Sequence, residues 1–233
     1  MAKTKGGKAS REKIYNAAKR LFLKNGYKNT TIEQIAEEAG MLKGSVTYHF
    51  KKENFISQIY IDFYDSIMQR IEESVGSELE NIFQKHIMMI RIFMDAIFDH
   101  DDSRTLYREI LFEKAVPVNS PVHKHIRRPL LPLIEEMNID ISPPIFDTIM
   151  EAEYGARAHL FKMQFNKNAI RLSPSLVNFT TTMSLKMMGI SKEIIDANVK
   201  KAEALLKKID YSDLRFISVS EKNIKENNEE ADE

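Results

Sequence analysis

The 233-residue chain contains no cysteine, which excludes a disulfide framework, a thiolate metal site and a cysteine nucleophile, and permits a reducing compartment. It also lacks any uninterrupted apolar run approaching the roughly 20 residues of a membrane span. The N-terminus is polar and lysine-rich with no apolar stretch behind it, unlike a secretory signal. A cytoplasmic protein without membrane contact is therefore the expectation. No H-E-x-x-H, Walker loop, dinucleotide fingerprint or nucleophile elbow is present, so no enzyme is expected. An active site assembled from scattered residues is the enzymatic alternative, and turnover of a bound molecule would be needed to support it. The cluster Asp99, His100, Asp101 and Asp102 hints at a metal, but adjacent side chains point in different directions. It reads as an acidic interhelical turn, and neither metal nor cofactor is expected.

What is present begins with charge. Net charge is zero, yet residues 1–53 hold 12 Lys and Arg against 5 Asp and Glu, and residues 54–233 hold 22 against 29. A module of charge +7 can meet a polyanion while the −7 remainder repels it. A hydrophobic content of 43% suits one or two domains with a buried core.

Strand signals are missing and helical spacing runs throughout. Residues 1–10 read as a flexible basic arm, too poor in apolar residues to pack. From Ser10, Ile14, Ala18, Leu21 and Phe22 follow one helical face, and Asn25-Gly26 supplies the stop. Thr31 with Gln34 reads as a capping box for a short helix lined by Ile32, Ile35, Ala36 and Ala39 and closed by Gly40. A third helix runs from about Lys43 to Phe50. A fourth, carrying Phe55, Ile59, Phe63, Ile67 and Ile71, connects the basic module to the rest over 54–76. Further helices are expected over about 79–99, 103–115, 122–137, 144–165, 175–188 and 192–209, punctuated by prolines. Residues 218–233 read as a disordered acidic tail. The fold class is thus all-α, with a three-helix N-terminal domain over 11–53 and a helical domain over 77–217.

A helix-turn-helix needs a small residue where its helices cross, a residue tolerant of positive φ in the turn, and an apolar lock on the second helix. Ala36, Gly40 and Val46 fill these roles, with Ile32, Ile35 and Met41 completing the core. The polar face of the third helix presents Lys43, Ser45, Thr47, Tyr48 and His49 to base edges and phosphates. A plain three-helix bundle with a solvated third helix is the alternative.

The run TTIEQIAEEAGMLKGSVTYHF at 30–50, with Gly26-Tyr27 before it and a long helix after it, resembles the TetR family of bacterial repressors. The resemblance covers residues 11–60. It departs at Leu42, where the family has a capping serine, at Thr47, where it usually has tyrosine, and in a linker after Phe50 one residue short. The resemblance implies that Thr31, Tyr48, His49 and Lys52 hold phosphates while Lys43, Gly44, Ser45 and Thr47 approach bases. His49 reads equally well as an inward-packed histidine.

The resemblance further implies a homodimer that binds double-stranded DNA at a pseudo-palindrome, with an unidentified small-molecule effector in the helical core separating the DNA modules. The expected function is a repressor released by a small apolar or amphipathic effector. A TetR-like activator, or an architectural DNA binder controlled by a protein partner, is the alternative. Ten of the twelve methionines lie between Met68 and Met188. Phe93, Met94, Phe98, Phe112, Met150, Tyr154, Phe161 and Phe165 are candidates to line an apolar cavity, though such stripes also serve as plain core. Arg157 and His159 are candidates to orient a polar group, or to face solvent or a partner. Ala152, Gly155, Ala156 and His159 have the spacing for close helix approach and resemble the family's first dimerisation helix, with 175–188 as the second.

Overall fold

Helical spacing yields helices throughout the described residues, 5–113, 121–132, 139–167 and 172–219 of this computed structural model, with no strand among them. The chain divides into two units. One comprises residues through Phe55 together with the segment from Ile217, and the other is Ile56–Phe216.

The smaller unit holds α1 (Lys5–Asn25), α2 (Ile32–Glu38), α3 (Lys43–His49) and the start of α4 (Lys52–Val75). Its core is built from Ile14, Ala18 and Phe22 of α1, Ile35 and Ala36 of α2, Ala39, and Val46 of α3, all buried. Ile32 and Met41 are half-buried at the edge of this core. Phe50 stacks on Phe55 with ring centroids 4.3 Å apart, and Phe22 meets Phe55 edge-on at 6.2 Å. The flexible arm expected over 1–10 is corrected in its second half, because α1 is already helical from Lys5. Lys8, Ala9, Arg11 and Glu12 are good helix formers, so a helix nucleated by the packed residues beyond Lys13 extends past Ser10 at little cost.

The larger unit contains the remainder of α4, then α5 (Ile82–Phe98), α6 (Asp101–Phe112), α7 (Pro121–Arg127), α8 (Pro143–Asn166), α9 (Pro174–Met187) and α10 (Lys192–Leu206). Helix α5 is buried on nearly all sides, packed by α6, α9 and α10. That placement explains a sequence with a broad apolar face and few charges, Lys85, Arg91 and Asp95, each of them half-buried. Asn81 starts α5 by accepting the Phe83 and Gln84 N–H groups at 3.0 and 3.2 Å. Of the helix expected over 122–137, an α-helix covers Pro121–Arg127 and a 3₁₀ turn Arg128–Leu130, Leu131 and Pro132 are α-helical again, and 133–137 lie outside the described residues. Pro129 has no N–H for the helical ladder, which accounts for the break.

The fourth helix, expected to run from the basic module into the rest of the chain, has its first residues in the smaller unit and from Ile56 onward belongs to the larger, with Ile56, Ile59, Phe63, Ile67 and Ile71 all buried. After α10 the chain returns as an irregular strap. Arg70 grips Asp213 with two bonds of 2.8 and 2.9 Å, the Tyr211 hydroxyl donates to Asp95 at 2.9 Å, and the Phe216 N–H donates to Ser103 Oγ at 3.2 Å. The expected acidic tail lies outside the described residues from 220 onward. No described helix is long and apolar enough to cross a membrane.

Candidate functional site

Helix α3 is a short rod anchored from one side. Val46, fully buried, is its lock, and burying a valine is worth roughly 1.5–3 kcal/mol. The α2–α3 turn is fixed by Gly40 at φ 58°. The Gly40 N–H donates to the Glu37 carbonyl at 2.9 Å and the Met41 N–H reaches the Ala36 carbonyl at 2.8 Å. This double closure satisfies the end of α2 and requires a left-handed residue at position 40. At the other end of α2, the Gln34 N–H donates to Thr31 Oγ1 at 3.2 Å while the Thr31 N–H donates to Gln34 Oε1 at 2.8 Å, the capping box expected from sequence. Thr30, adjacent and fully buried, instead turns its hydroxyl to the Gly26 carbonyl at 2.8 Å. The first threonine of the pair therefore shapes the entry loop and the second caps the helix.

The outward face of α3 holds Lys43, Gly44, Thr47 and Tyr48, all exposed, with Ser45 and His49 half-buried at its edges. Tyr48 is 85% exposed and meets the His49 ring edge-on at 5.1 Å. His49 is thus neither core nor fully free. Thr47 Oγ1 lies 3.2 and 3.1 Å from the Lys43 and Gly44 carbonyls, so its proton is used within the helix and its lone pairs and methyl face outward. A Cβ at Gly44 would meet nothing within 4 Å. Leu42 precedes the helix without any side-chain cap and is 81% exposed, so no other side chain has replaced the capping serine.

Two cations are engaged. Lys43 is paired with Glu33 of α2, and this hydrogen bond is the first reason that the Glu33 carboxyl titrates below its usual range. Lys52 lies over the Tyr27 ring at 4.5 Å. The Glu33 contact was not foreseen, although the capping-box register places Glu33 in the first turn of α2, where an acid is favoured.

In the larger unit the aromatic candidates separate. Phe98 packs on Phe161 and Phe165 at 5.4 and 5.2 Å, and Tyr107 bridges Phe161 to Phe93 at 5.9 and 5.7 Å. Phe112 does not join them. It is 42% exposed and lies 5.7 Å from both Arg108 and Lys162, because the buried face of α6 carries Leu106, Tyr107, Ile110 and Leu111. Met150 packs in a separate cluster with Leu130, Phe146 and Met188. Met94 and Phe98 line a half-open groove of about 220 Å³ whose polar side is Arg91, Asp95 and Asp99.

Arg157 does not face solvent. Its guanidinium lies 2.9 Å from Glu153, one turn earlier on α8, and the two side chains are 13% and 2% exposed. Burial raises the Glu153 carboxyl and Arg157 opposes that shift. Glu153 was missed by sequence reasoning, although the i, i+4 acid–base spacing inside an apolar helix was a readable signal. Ala152, Gly155 and His159 are exposed along one stripe of α8, whereas Ala156 is half-buried. His100 lies 2.7 Å from Arg215, an arrangement suited to tying down the strap rather than to holding a cation.

Residues 14–54 match the family described as "Bacterial regulatory proteins, tetR family". Over 79 residues, 34% of this chain, the sequence is 34% identical to the HTH-type transcriptional repressor KstR2 of Rhodococcus jostii. Over 50 residues, 21% of this chain, it is 46% identical to the HTH-type transcriptional regulator QacR of Staphylococcus aureus. Those stretches span only 39% and 27% of the two relatives. The crystal structure of RolR with its ligand resorcinol superposes at a TM-score of 0.55, covering 87% of this chain and 95% of that one at 14% identity. At that identity the likeness concerns the fold.

Proposed function

We propose that this chain, whose residues 14–54 match the tetR family of bacterial regulatory proteins, is a transcriptional repressor that binds double-stranded DNA as a homodimer and is released by a small effector. The observation that carries the reading is the outward face of α3, where Tyr48 is 85% exposed and Gly44 leaves open space around its backbone, on a helix locked by buried Val46. Lys43 and Thr47 approach bases, where the lysine charge also meets the flanking phosphates, Tyr48 and Lys52 hold phosphates, and Thr31 stands at the start of α2. The exposed stripe Ala152, Gly155 and His159 of α8 is the proposed dimer contact. A two-fold dimer would read a pseudo-palindrome with half-sites set by the spacing of its α3 helices. Effector control requires a ligand that binds the DNA-free conformation more tightly than the DNA-bound one. The reading assigns the protein no catalytic step.

The test is fluorescence anisotropy of the protein with DNA from upstream of its own gene, against scrambled DNA, across salt concentrations. Sequence-selective binding that is lost in Thr47→Ala/Tyr48→Ala is the expected result. Equal, steeply salt-dependent binding to both DNAs, unchanged in the double variant, would reduce the interface to a basic surface.

A further inference from the structure

Helix α4 is absent from the closely packed helix pairs of the described residues, in which α5 lies against α6, α9 and α10, and α8 against α6, α7 and α9. Its inward rings reach the rest of the larger unit through two phenylalanines. Tyr60 and Phe63 meet Phe93 of α5 at 6.4 and 5.5 Å, and both pack edge-on to Phe216 of the C-terminal strap at 5.0 and 5.6 Å. Phe216 is buried and also meets Tyr107 of α6 at 5.4 Å, so a single strap residue stands between α4 and α6. The strap adds a polar contact to each helix it crosses. Arg70 of α4 binds both carboxylate oxygens of Asp213, at 2.8 and 2.9 Å, and the Asp210 carbonyl. The Tyr211 hydroxyl donates to Asp95 of α5 at 2.9 Å, Arg215 donates to His100 at the start of α6 at 2.7 Å, and the Phe216 N–H donates to Ser103 of α6 at 3.2 Å. Asp210 is held in turn by the Ser212 N–H and hydroxyl, at 3.0 and 2.8 Å, within the turn that precedes Asp213.

We propose that residues 210–216 are a latch that fixes α4 against α5 and α6, and that opening the latch weakens selective DNA binding by letting α4 move. The inference rests on the reading of the protein as a DNA-binding regulator and adds a control element to it. The strap is irregular and has no helical ladder of its own. It opens by losing a few side-chain contacts and one buried ring, without unfolding a helix, which is the character of a segment that opens locally. Helix α4 is continuous from Lys52 to Val75, and its first residues belong to the unit that carries α3. Freedom of α4 in the larger unit is therefore passed along the helix as freedom of α3. Selective binding requires two α3 helices at one spacing, and affinity falls with the fraction of molecules that hold it. Non-selective binding follows charge and is indifferent to that fraction.

Arg70→Gln and Asp213→Asn, made in the full-length protein, break the same contact while changing the net charge in opposite directions. The two side chains are 27% and 67% exposed, so both variants should fold and melt within about 4 °C of the wild type. Hydrogen exchange without DNA reads the latch itself. A helix loosened from its packing is marginal in water, so the amides of α4 over residues 60–71 should exchange at least about fivefold faster in both variants, with α9 as the reference. Anisotropy should show selective affinity for the upstream DNA falling about fivefold in both, and affinity for scrambled DNA changing by less than about twofold. Shifts of opposite sign in the two variants would make the effect one of charge and overturn the proposal. Faster exchange with unchanged selective affinity would reduce the strap to a structural support, and unchanged exchange would show that α4 is held without it. If the wild type does not select its upstream DNA, the regulator reading fails, and the exchange rates still decide whether the strap holds α4.

Discussion

Replacing Gly44 by alanine should make the protein more stable and a weaker DNA binder at once. Gly44 lies in α3 with ordinary helical geometry, unlike Gly26, Gly40 and Gly189, whose φ values are positive. A Cβ there meets nothing within 4 Å, so alanine adds no clash within the protein and removes the entropic penalty of glycine. In a helix interior that difference is about 1 kcal/mol, and so near the helix start about 0.5–1 kcal/mol is the reasonable range. The melting temperature should rise by about 1–4 °C. On DNA the same methyl occupies the space through which the backbone approaches, and an affinity loss of at least tenfold, about 1.4 kcal/mol, is expected. Urea unfolding and anisotropy on one preparation measure both numbers. Stabilisation with unchanged DNA affinity would show that the Gly44 backbone is not approached, and destabilisation would show a helix role that the open surroundings do not explain.

Leu42→Ser should stabilise α3 by about 1 kcal/mol by supplying its missing cap, with little packing lost because Leu42 is 81% exposed; an unchanged urea midpoint would contradict this. Glu33→Gln should release Lys43 and strengthen DNA binding by up to about fivefold, the scale of an exposed ion pair. The slope of log affinity against log salt should steepen by about one contact, and an unchanged slope would place Lys43 away from the phosphates. Acid should destabilise the larger unit through His86, whose folded pKa is pushed from 6.5 down to about 3, by burial first and Arg157 second. The unfolded chain binds this proton near pH 6.5 and the folded chain only near pH 3, so stability falls as pH drops between them. From pH 6.5 to 4.5 the loss is about 2–3 kcal/mol. In a His86→Gln variant that part of the pH dependence should vanish, and a parallel curve would refute the assignment.

The sequence by itself determined the helices and the reading head. Apolar spacing placed α1 to α4, and Thr31 with Gln34 announced a capping box that the structure contains. Gly40 was required at the turn because only a residue at ease with positive φ closes α2 in that way. These features depend on residues three to five positions apart, and local periodicity records them. What only the tertiary structure decided depends on distant partners. Whether Phe112 joins the aromatic core depends on which face of α6 is covered, and that face ends at Leu111. Glu33 holding Lys43, Glu153 drawn inside with Arg157, and the strap that brings Phe216 against Ser103 each arise from the folded path. Burial makes the Glu153–Arg157 pair consequential, because removal from water is what leaves a charged group in need of a partner.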